Sequence, residues 1–462
     1  MNLRAWQKEC IEEAISRYQS GQSHFLCLAT PGAGKTLMAS RLAKQLIDDD
    51  LIDLVICITP AIIVSDDFRH ELEVQLGKKL SGKLGSVGRC LTYHAMLSEN
   101  NIWDLFEDHR VFVIFDEIHH CSGNDIHNSN AWGQKIISEI QGKAKFTLAL
   151  TGTPWRSDNI PITLGKYCDK GTVHCDYSYG LTRAIEDNVC RTPSITLIDN
   201  DKITLTEDGT SSQFTSFDTL FKDSKCSYQS LIESESLIEY MLKQADKKLS
   251  SLRKIDKKSG GLIVASSVSH AKNIHKTLKR LLNEDAQIVT YLEPDAVTLI
   301  KKYKAAKTKW IISVGMISEG TNIPRLKVCC YLTRVKTELY FRQVLGRVLR
   351  ADGSKNDTGF FYMPAEPTLS EYAYRVDKDI PDECIIKFDT YSSNGSHNSS
   401  AYTKKPLYSL KADSVLEFIE HEKFQDKSRL NFSSELSRGY EYSLGLFGEF
   451  QKSQLIINEF KL

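Results

Sequence analysis

The chain has no excess of charge of either sign: 59 Lys and Arg stand against 59 Asp and Glu over 462 residues. Such a molecule has no long-range field to draw in a polyanion, so any contact with nucleic acid must be local. The 12 cysteines show no repeated spacing, which argues against a disulfide framework. Met1-Asn2-Leu3-Arg4 lacks the apolar core of a secretory signal, and the longest apolar stretch, from Leu54 to Val64, is broken by Thr59-Pro60. A soluble, reducing, cytoplasmic setting with no membrane partner is therefore expected. Cys168, His174 and Cys175 are the one metal-like cluster, and without a fourth ligand at a familiar spacing they read as ordinary residues rather than a zinc site.

What is present is an alternation of short apolar runs and amphipathic segments in a chain too long for one core. Runs at 24–29, 54–59, 88–93, 111–115 and 146–150 predict buried strands, with helices starting near Ala5 and Lys35. A second series has strands at 262–266, 287–291, 309–314, 327–332 and 359–363, and helices at 269–282, 295–306 and 338–350. This is the pattern of two α/β domains with parallel sheets. The boundaries read as domain 1 over 1–194, a connector over 195–258, domain 2 over 259–365 and an extension over 366–462. The Ser392–Ser400 stretch reads as a flexible linker, and the tail beyond it as mainly helical, for example at 414–424.

The most informative residues are Ala29-Thr30-Pro31-Gly32-Ala33-Gly34-Lys35-Thr36, directly after the run Phe25-Leu26-Cys27-Leu28. Strand, glycine turn, lysine and hydroxyl together form a cradle for a polyphosphate. Backbone N–H groups wrap the phosphates, Lys35 adds a point charge at the β and γ groups, and Thr36 offers a hydroxyl to Mg²⁺. Ala29 stands where the usual pattern has glycine. Farther on, Val111-Phe112-Val113-Ile114-Phe115 ends in Asp116-Glu117-Ile118-His119, placing two acids at the carboxyl end of a buried strand. They can divide two tasks, Asp116 holding Mg²⁺ and Glu117 orienting and deprotonating the attacking water. ATP hydrolysis is the chemistry these residues imply.

Over about residues 1–365 the chain resembles the superfamily 2 helicases and translocases, in the group whose acidic motif reads Asp-Glu-x-His. The resemblance implies two tandem RecA-like P-loop domains, with a mainly helical C-terminal extension expected beyond them. It also implies that Arg4 and Gln7 belong to an adenine-reading segment, and that Thr151 and Thr153 of Thr151-Gly152-Thr153-Pro154 couple the ATP site, through His119, to a nucleic-acid groove. Thr59 and Thr92 fall where the family places contacts to the phosphate backbone. In the second series, Ser266 or Ser267 stands in a similar place. Ile317-Ser318-Glu319-Gly320-Thr321-Asn322-Ile323-Pro324 is similar to the family's fifth motif, with Gly320 toward nucleotide and Thr321 toward nucleic acid. Gln343-Val344-Leu345-Gly346-Arg347-Val348-Leu349-Arg350 resembles the motif that carries the arginine fingers, and its two arginines share a helix face. Brought to the γ-phosphate, Arg347 and Arg350 neutralise charge that develops in the transition state.

These features point to an ATP-driven motor on nucleic acid, with DNA favoured over RNA. An RNA-remodelling ATPase and an ATP-dependent switch subunit are the alternatives. His94, His120 and Trp155 read as packed or hydrogen-bonded residues. The tail shows no nuclease, methylase or zinc pattern. Its aromatics, Tyr440, Tyr442, Phe447 and Phe450, are expected to pack a small helical core or to meet a protein partner.

Overall fold

Strands that are apolar on both faces need a helical layer on each side, and this requirement organises both halves of the chain. The computed structural model describes residues 2–99, 101–153, 160–167, 173–207, 210–316, 323–351, 357–378 and 442–456. It divides into two units, one built on Met1–Cys190 and the other beginning at Arg191.

The first unit holds six parallel strands in the order Gly88–Thr92, Leu54–Thr59, Val111–Phe115, Phe146–Thr151, His24–Ala29 and Tyr177–Tyr179. Every residue of Val111–Phe115 and Phe146–Thr151 is buried, as central strands demand. One apolar layer includes Trp6, Leu42, Leu46 and Phe112; the other includes Tyr93, Phe115, Ile118 and Ile136. The strand Phe146–Thr151 lies between the one that feeds the glycine turn and the one that ends in the acids. Three strand ends therefore converge at the carboxyl edge.

The second unit is a seven-stranded sheet in the order Ala286–Thr290, Trp310–Val314, Gly260–Ala265, Leu326–Leu332, Thr358–Pro364, Thr192–Asn200 and Phe450–Ile456. All pairs are parallel except the last. The helix Glu235–Ile255 buries Leu237, Ile238, Met241, Leu242, Ala245 and Leu249, a helical stripe that covers this sheet. Arg191 is wholly buried at the start of the unit. Its Nε lies 2.6 Å from Asp357 Oδ2, and its guanidinium donates to the carbonyls of Leu326 and Pro324 at 2.9 Å.

Several expectations are corrected. The stretch 195–258, read as a connector that decorates the second domain, belongs to the second unit, which starts at Arg191: Thr192–Asn200 pairs with Thr358–Pro364, and Glu235–Ile255 packs there. The arginine-bearing residues 342–351 cluster with the first unit, although the strands before and after them belong to the second. The described part of the extension is one helix, Pro367–Lys378, and two strands, Tyr442–Leu446 and Phe450–Ile456, not a helical core. Those strands form because Thr192–Glu207 presents two ladders for them, at Thr192–Asn200 and Ile203–Glu207. Phe450 stacks on Tyr240 with ring centroids 4.3 Å apart, whereas Phe447 is exposed at the turn. The linker at 392–400, the segment 414–424 and Tyr440 lie outside the described residues. No helix among the described residues is long and apolar enough to cross a membrane.

Candidate active site

The glycine turn has the shape of a phosphate cradle. Gly32 and Gly34 take φ of 86° and 97°, a region that costs residues with a Cβ, and the helix Lys35–Asp48 starts at once. The turn is also crowded. A Cβ on Gly32 would stand 2.7 Å from Arg350 Cγ, and one on Gly34 would stand 2.9 Å from Gln7 Nε2. Lys35 Nζ donates to the Ala29 carbonyl at 3.2 Å and to Glu117 Oε1 at 3.1 Å, so the lysine bridges turn and acid.

Arg4 and Gln7 brace the turn from behind. The Arg4 guanidinium donates to the Ala33 carbonyl at 2.6 Å, and Gln7 Nε2 donates to the Gly34 carbonyl at 2.9 Å. Gln7 Oε1 accepts from the Arg4 backbone N–H at 2.8 Å, and the side chain is buried. Both ends of the Gln7 amide thus hold the loop, with a second N–H and a second lone pair beyond the bonds described. Gln7→Ala removes two hydrogen bonds, each worth about 0.5–1.5 kcal/mol, so KM for ATP rises about tenfold with little change in kcat. Steady-state ATPase kinetics check this; an unchanged KM means the loop keeps its shape without the brace.

The two acids occupy different environments. Asp116 is buried, and burial together with the charge of Glu117 raises its pKa to about 7, against the pull of Lys35 and His120. Burial works to raise Glu117 too, but Lys35, His119 and the Gly152 N–H together bring it down to about 2. Glu117 sits in the left-handed region at φ 50°, an uncommon conformation for a residue with a side chain, which aims its carboxylate into the loop. Its Oε2 accepts from the Gly152 N–H at 3.2 Å and lies 3.4 Å from His119 Nδ1.

His119 connects this carboxylate to the Thr151 strand end. The Thr151 hydroxyl donates to the Thr153 carbonyl at 2.9 Å, which spends its one proton. His119 Nδ1, 2.9 Å from the same oxygen, therefore carries the hydrogen and donates it. The Thr153 N–H returns a bond to Thr151 Oγ1 at 3.0 Å. His119, Thr151 and Thr153 thus form one buried network with Glu117. Pro154 and Trp155 lie outside the described residues. His120 is buried beside His119, with ring centroids 4.5 Å apart.

Gln343 and Arg347 are buried, and Arg350 is close to the turn. Burial pushes the Arg350 pKa down, while the charges of Cys190, Glu117 and Asp116 act to keep the guanidinium protonated. Two contributors were not read from the sequence as site residues. A Cβ on Gly346 would stand 2.7 Å from Pro31 Cβ, so this glycine permits the close approach of its helix to the loop. A glycine inside a helix, costly by about 1 kcal/mol, was the available signal. Cys190 pairs through its backbone with Arg350, and no local pattern marks it.

The expected nucleic-acid residues are only partly available. Thr59 is wholly buried, and its hydroxyl reaches the Ala61 and Leu91 carbonyls at 3.3 and 3.4 Å. Thr92 caps the helix Tyr93–Ser98 by accepting from the Ala95 N–H. Ser266 is buried 2.8 Å from His270 Nδ1, and Ser267 caps the helix Val268–Leu282. Each hydroxyl has a partner within the protein: local carbonyls for Thr59, the N–H groups of the next helix for Thr92 and Ser267, and the His270 ring for Ser266. Gly320 and Thr321 lie outside the described residues.

The site's chemistry fits a magnesium nucleotide. The Thr36 hydroxyl and the Asp116 carboxylate are the hard oxygen donors that Mg²⁺ prefers, and a carboxyl as strained as Asp116 gains from a cation. Residues 1–156 match the family model described as type III restriction enzyme, res subunit. An uncharacterized protein of Mycobacterium tuberculosis is 29% identical over 391 residues, 80% of this chain and 62% of the relative, so the chain spans under two-thirds of that protein. A fragment described as an HsdR subunit of a type I restriction enzyme from Vibrio vulnificus has a TM-score of 0.53 at 15% identity, covering 80% of this chain and 65% of the other. The ATP-dependent Type ISP restriction-modification enzyme LlaBIII, bound to DNA, has a TM-score of 0.51 at 12% identity, covering 82% and 30%. Residues 1–156 are thus similar to the res subunits of type III restriction enzymes, and the chain shares its fold with the HsdR fragment and with LlaBIII.

Proposed function

We propose that the chain is an ATP-driven nucleic-acid translocase or helicase acting on DNA. The observation that carries this reading is the convergence on one carboxylate: Lys35, Gly152 and His119 all contact Glu117. A residue that touches both the phosphate loop and the Thr151–Thr153 network can tie hydrolysis to movement elsewhere in the first unit. Thr36 and Asp116 would hold Mg²⁺, which supplies positive charge at the β and γ phosphates. Lys35 serves the same phosphates. Glu117 orients water and accepts its proton, and Arg347 and Arg350 neutralise charge on the departing γ-phosphoryl group. The Asp-Glu-x-His motif and the res-subunit match support DNA over RNA. ATP turnover measured with single- and double-stranded DNA and RNA tests the proposal. Stimulation by DNA above RNA is expected; stimulation by RNA alone would make it an RNA-remodelling ATPase, and hydrolysis indifferent to any nucleic acid would make it a switch.

A further inference from the structure

Two stretches of sequence are basic out of proportion to a chain of zero net charge. Residues 253–258, Arg-Lys-Ile-Asp-Lys-Lys, and residues 301–309, Lys-Lys-Tyr-Lys-Ala-Ala-Lys-Thr-Lys, contain a single acid between them. In the second unit the fold lays them side by side. One precedes the strand Gly260–Ala265, the other precedes Trp310–Val314, and these strands are neighbours paired at Gly261 and Trp310.

Two arginines staple the runs together. Arg253 donates to the carbonyls of Ser259 at 2.6 Å and Lys307 at 2.9 Å. Arg325 donates to those of Lys258 at 2.9 Å, Tyr303 at 3.0 Å and Thr308 at 2.7 Å. Both guanidinium groups donate to backbone carbonyls. Burial lowers the Arg325 pKa, and the nearby charge of Arg253 pushes the same way, against Tyr303 and Asp256.

The acids at this edge are already engaged. A cleft of about 520 Å³ opens here, with Arg253, Lys254, Lys307 and Lys309 on its walls beside Glu284 and Asp285. Lys309 takes Asp246 and Glu284, each at 2.7 Å, and Asp285 lies 2.6 Å from His275. Asp256 accepts from the Lys258 N–H and the Ser259 hydroxyl. Lys254, Lys257, Lys258 and Lys307 are exposed. Cations at helix carboxyl ends ordinarily answer the helix dipole, which accounts for Lys254 in Glu235–Ile255. Lys257, Lys258 and Lys307 lie beyond the ends of their helices. Holding these like charges together is unfavourable unless a polyanion answers them.

We infer that this edge of the second unit is a further contact for the sugar–phosphate backbone of nucleic acid. It lies at the amino ends of the strands, opposite the ends that lead to Ser266 and Thr333, about 17 Å away for a five-residue strand. Ammonium groups grip phosphates as point charges without reading bases, so the contact is indifferent to sequence. This rests on the reading of the chain as a nucleic-acid motor and adds a grip outside the motif-bearing strand ends.

The test uses the full chain with Lys254, Lys257, Lys258 and Lys307 each changed to Glu. A control carries Lys44→Glu, Lys78→Glu, Lys143→Glu and Lys222→Glu, equal in charge change and none of them lining the cleft. Binding to labelled single- and double-stranded DNA is followed by anisotropy from about 50 to 200 mM salt. The cleft variant should bind at least tenfold more weakly at the lowest salt, and its slope of log affinity against log salt should fall by about 2–4 on duplex. ATP turnover without nucleic acid should match the unaltered chain in both variants. Equal losses in the control, or an unchanged slope in the cleft variant, would overturn the inference while leaving the motor reading intact. An unaltered chain that neither binds nor responds to nucleic acid overturns both. Loss of binding only to anionic vesicles or to polyglutamate would assign the edge to another partner and overturn the inference.

Discussion

Glu117→Gln lowers the maximal rate of ATP hydrolysis by about 10²–10⁴-fold and leaves nucleotide affinity nearly unchanged, if Glu117 accepts the proton of the attacking water. The replacement is nearly isosteric. Lys35 Nζ and the Gly152 N–H lie 3.1 and 3.2 Å from different carboxylate oxygens, Oε1 and Oε2, so the single carbonyl oxygen of glutamine keeps one of these bonds and its NH₂ faces the other donor. The change removes the charge that takes the proton and one of the two bonds to the carboxylate, while Lys35 keeps its bond to the Ala29 carbonyl. Single-turnover hydrolysis combined with equilibrium binding of a fluorescent nucleotide separates the two quantities. Hydrolysis above about a tenth of the original rate would remove Glu117 as the base. A parallel loss of rate and affinity would instead make it a structural partner of Lys35.

Arg350→Ala has the second large effect, a fall of about 10³-fold or more in kcat with KM for ATP changed less than about tenfold. The side chain lies across Gly32, and its charge is within reach of Glu117 and Asp116. It is thus already in the neighbourhood of the phosphate cradle. A guanidinium there helps most when negative charge grows on the γ-phosphoryl oxygens, so its removal costs rate more than binding. Arg347→Ala follows the same pattern if the pair acts together, Arg347 standing in the last turn of the helix Glu338–Val348 and Arg350 just beyond its end. Losses of equal size in kcat/KM and in affinity would demote both arginines to contacts with bound nucleotide. Arg350→Lys serves as the conservative variant: it restores charge but not the planar fork, and partial recovery is expected.

Much of the architecture was legible because it is carried by local pattern. The runs at 24–29, 54–59 and 111–115 are apolar on both faces and end in Gly, Thr-Pro or Asp-Glu, so their strand character and their functional ends are visible together. The phosphate turn was readable for the same reason, since two glycines with positive φ and a following lysine are a local requirement. The strand Phe450–Ile456 was not legible. It exists as the edge partner of Thr192–Asn200, and its sequence mixes polar and apolar residues without a strong period. The partners of the Thr59, Thr92 and Ser266 hydroxyls were not legible, because spacing shows where a strand ends but not which group its hydroxyl meets.

Residue order was enough to point to a chemistry: a lysine and hydroxyl after a glycine turn, paired acids after a buried strand, and two arginines three apart at a helix end all depend on short-range geometry that adjacent residues impose. Assembly was a matter for the folded chain. The strand order placed Phe146–Thr151 between the turn and the acids, which is why Gly152 meets Glu117, and it brought residues 253–258 beside 301–309. Such pairings join segments far apart in sequence. Their free energy comes from sheet register and burial across the whole unit, and no short window of residues contains it.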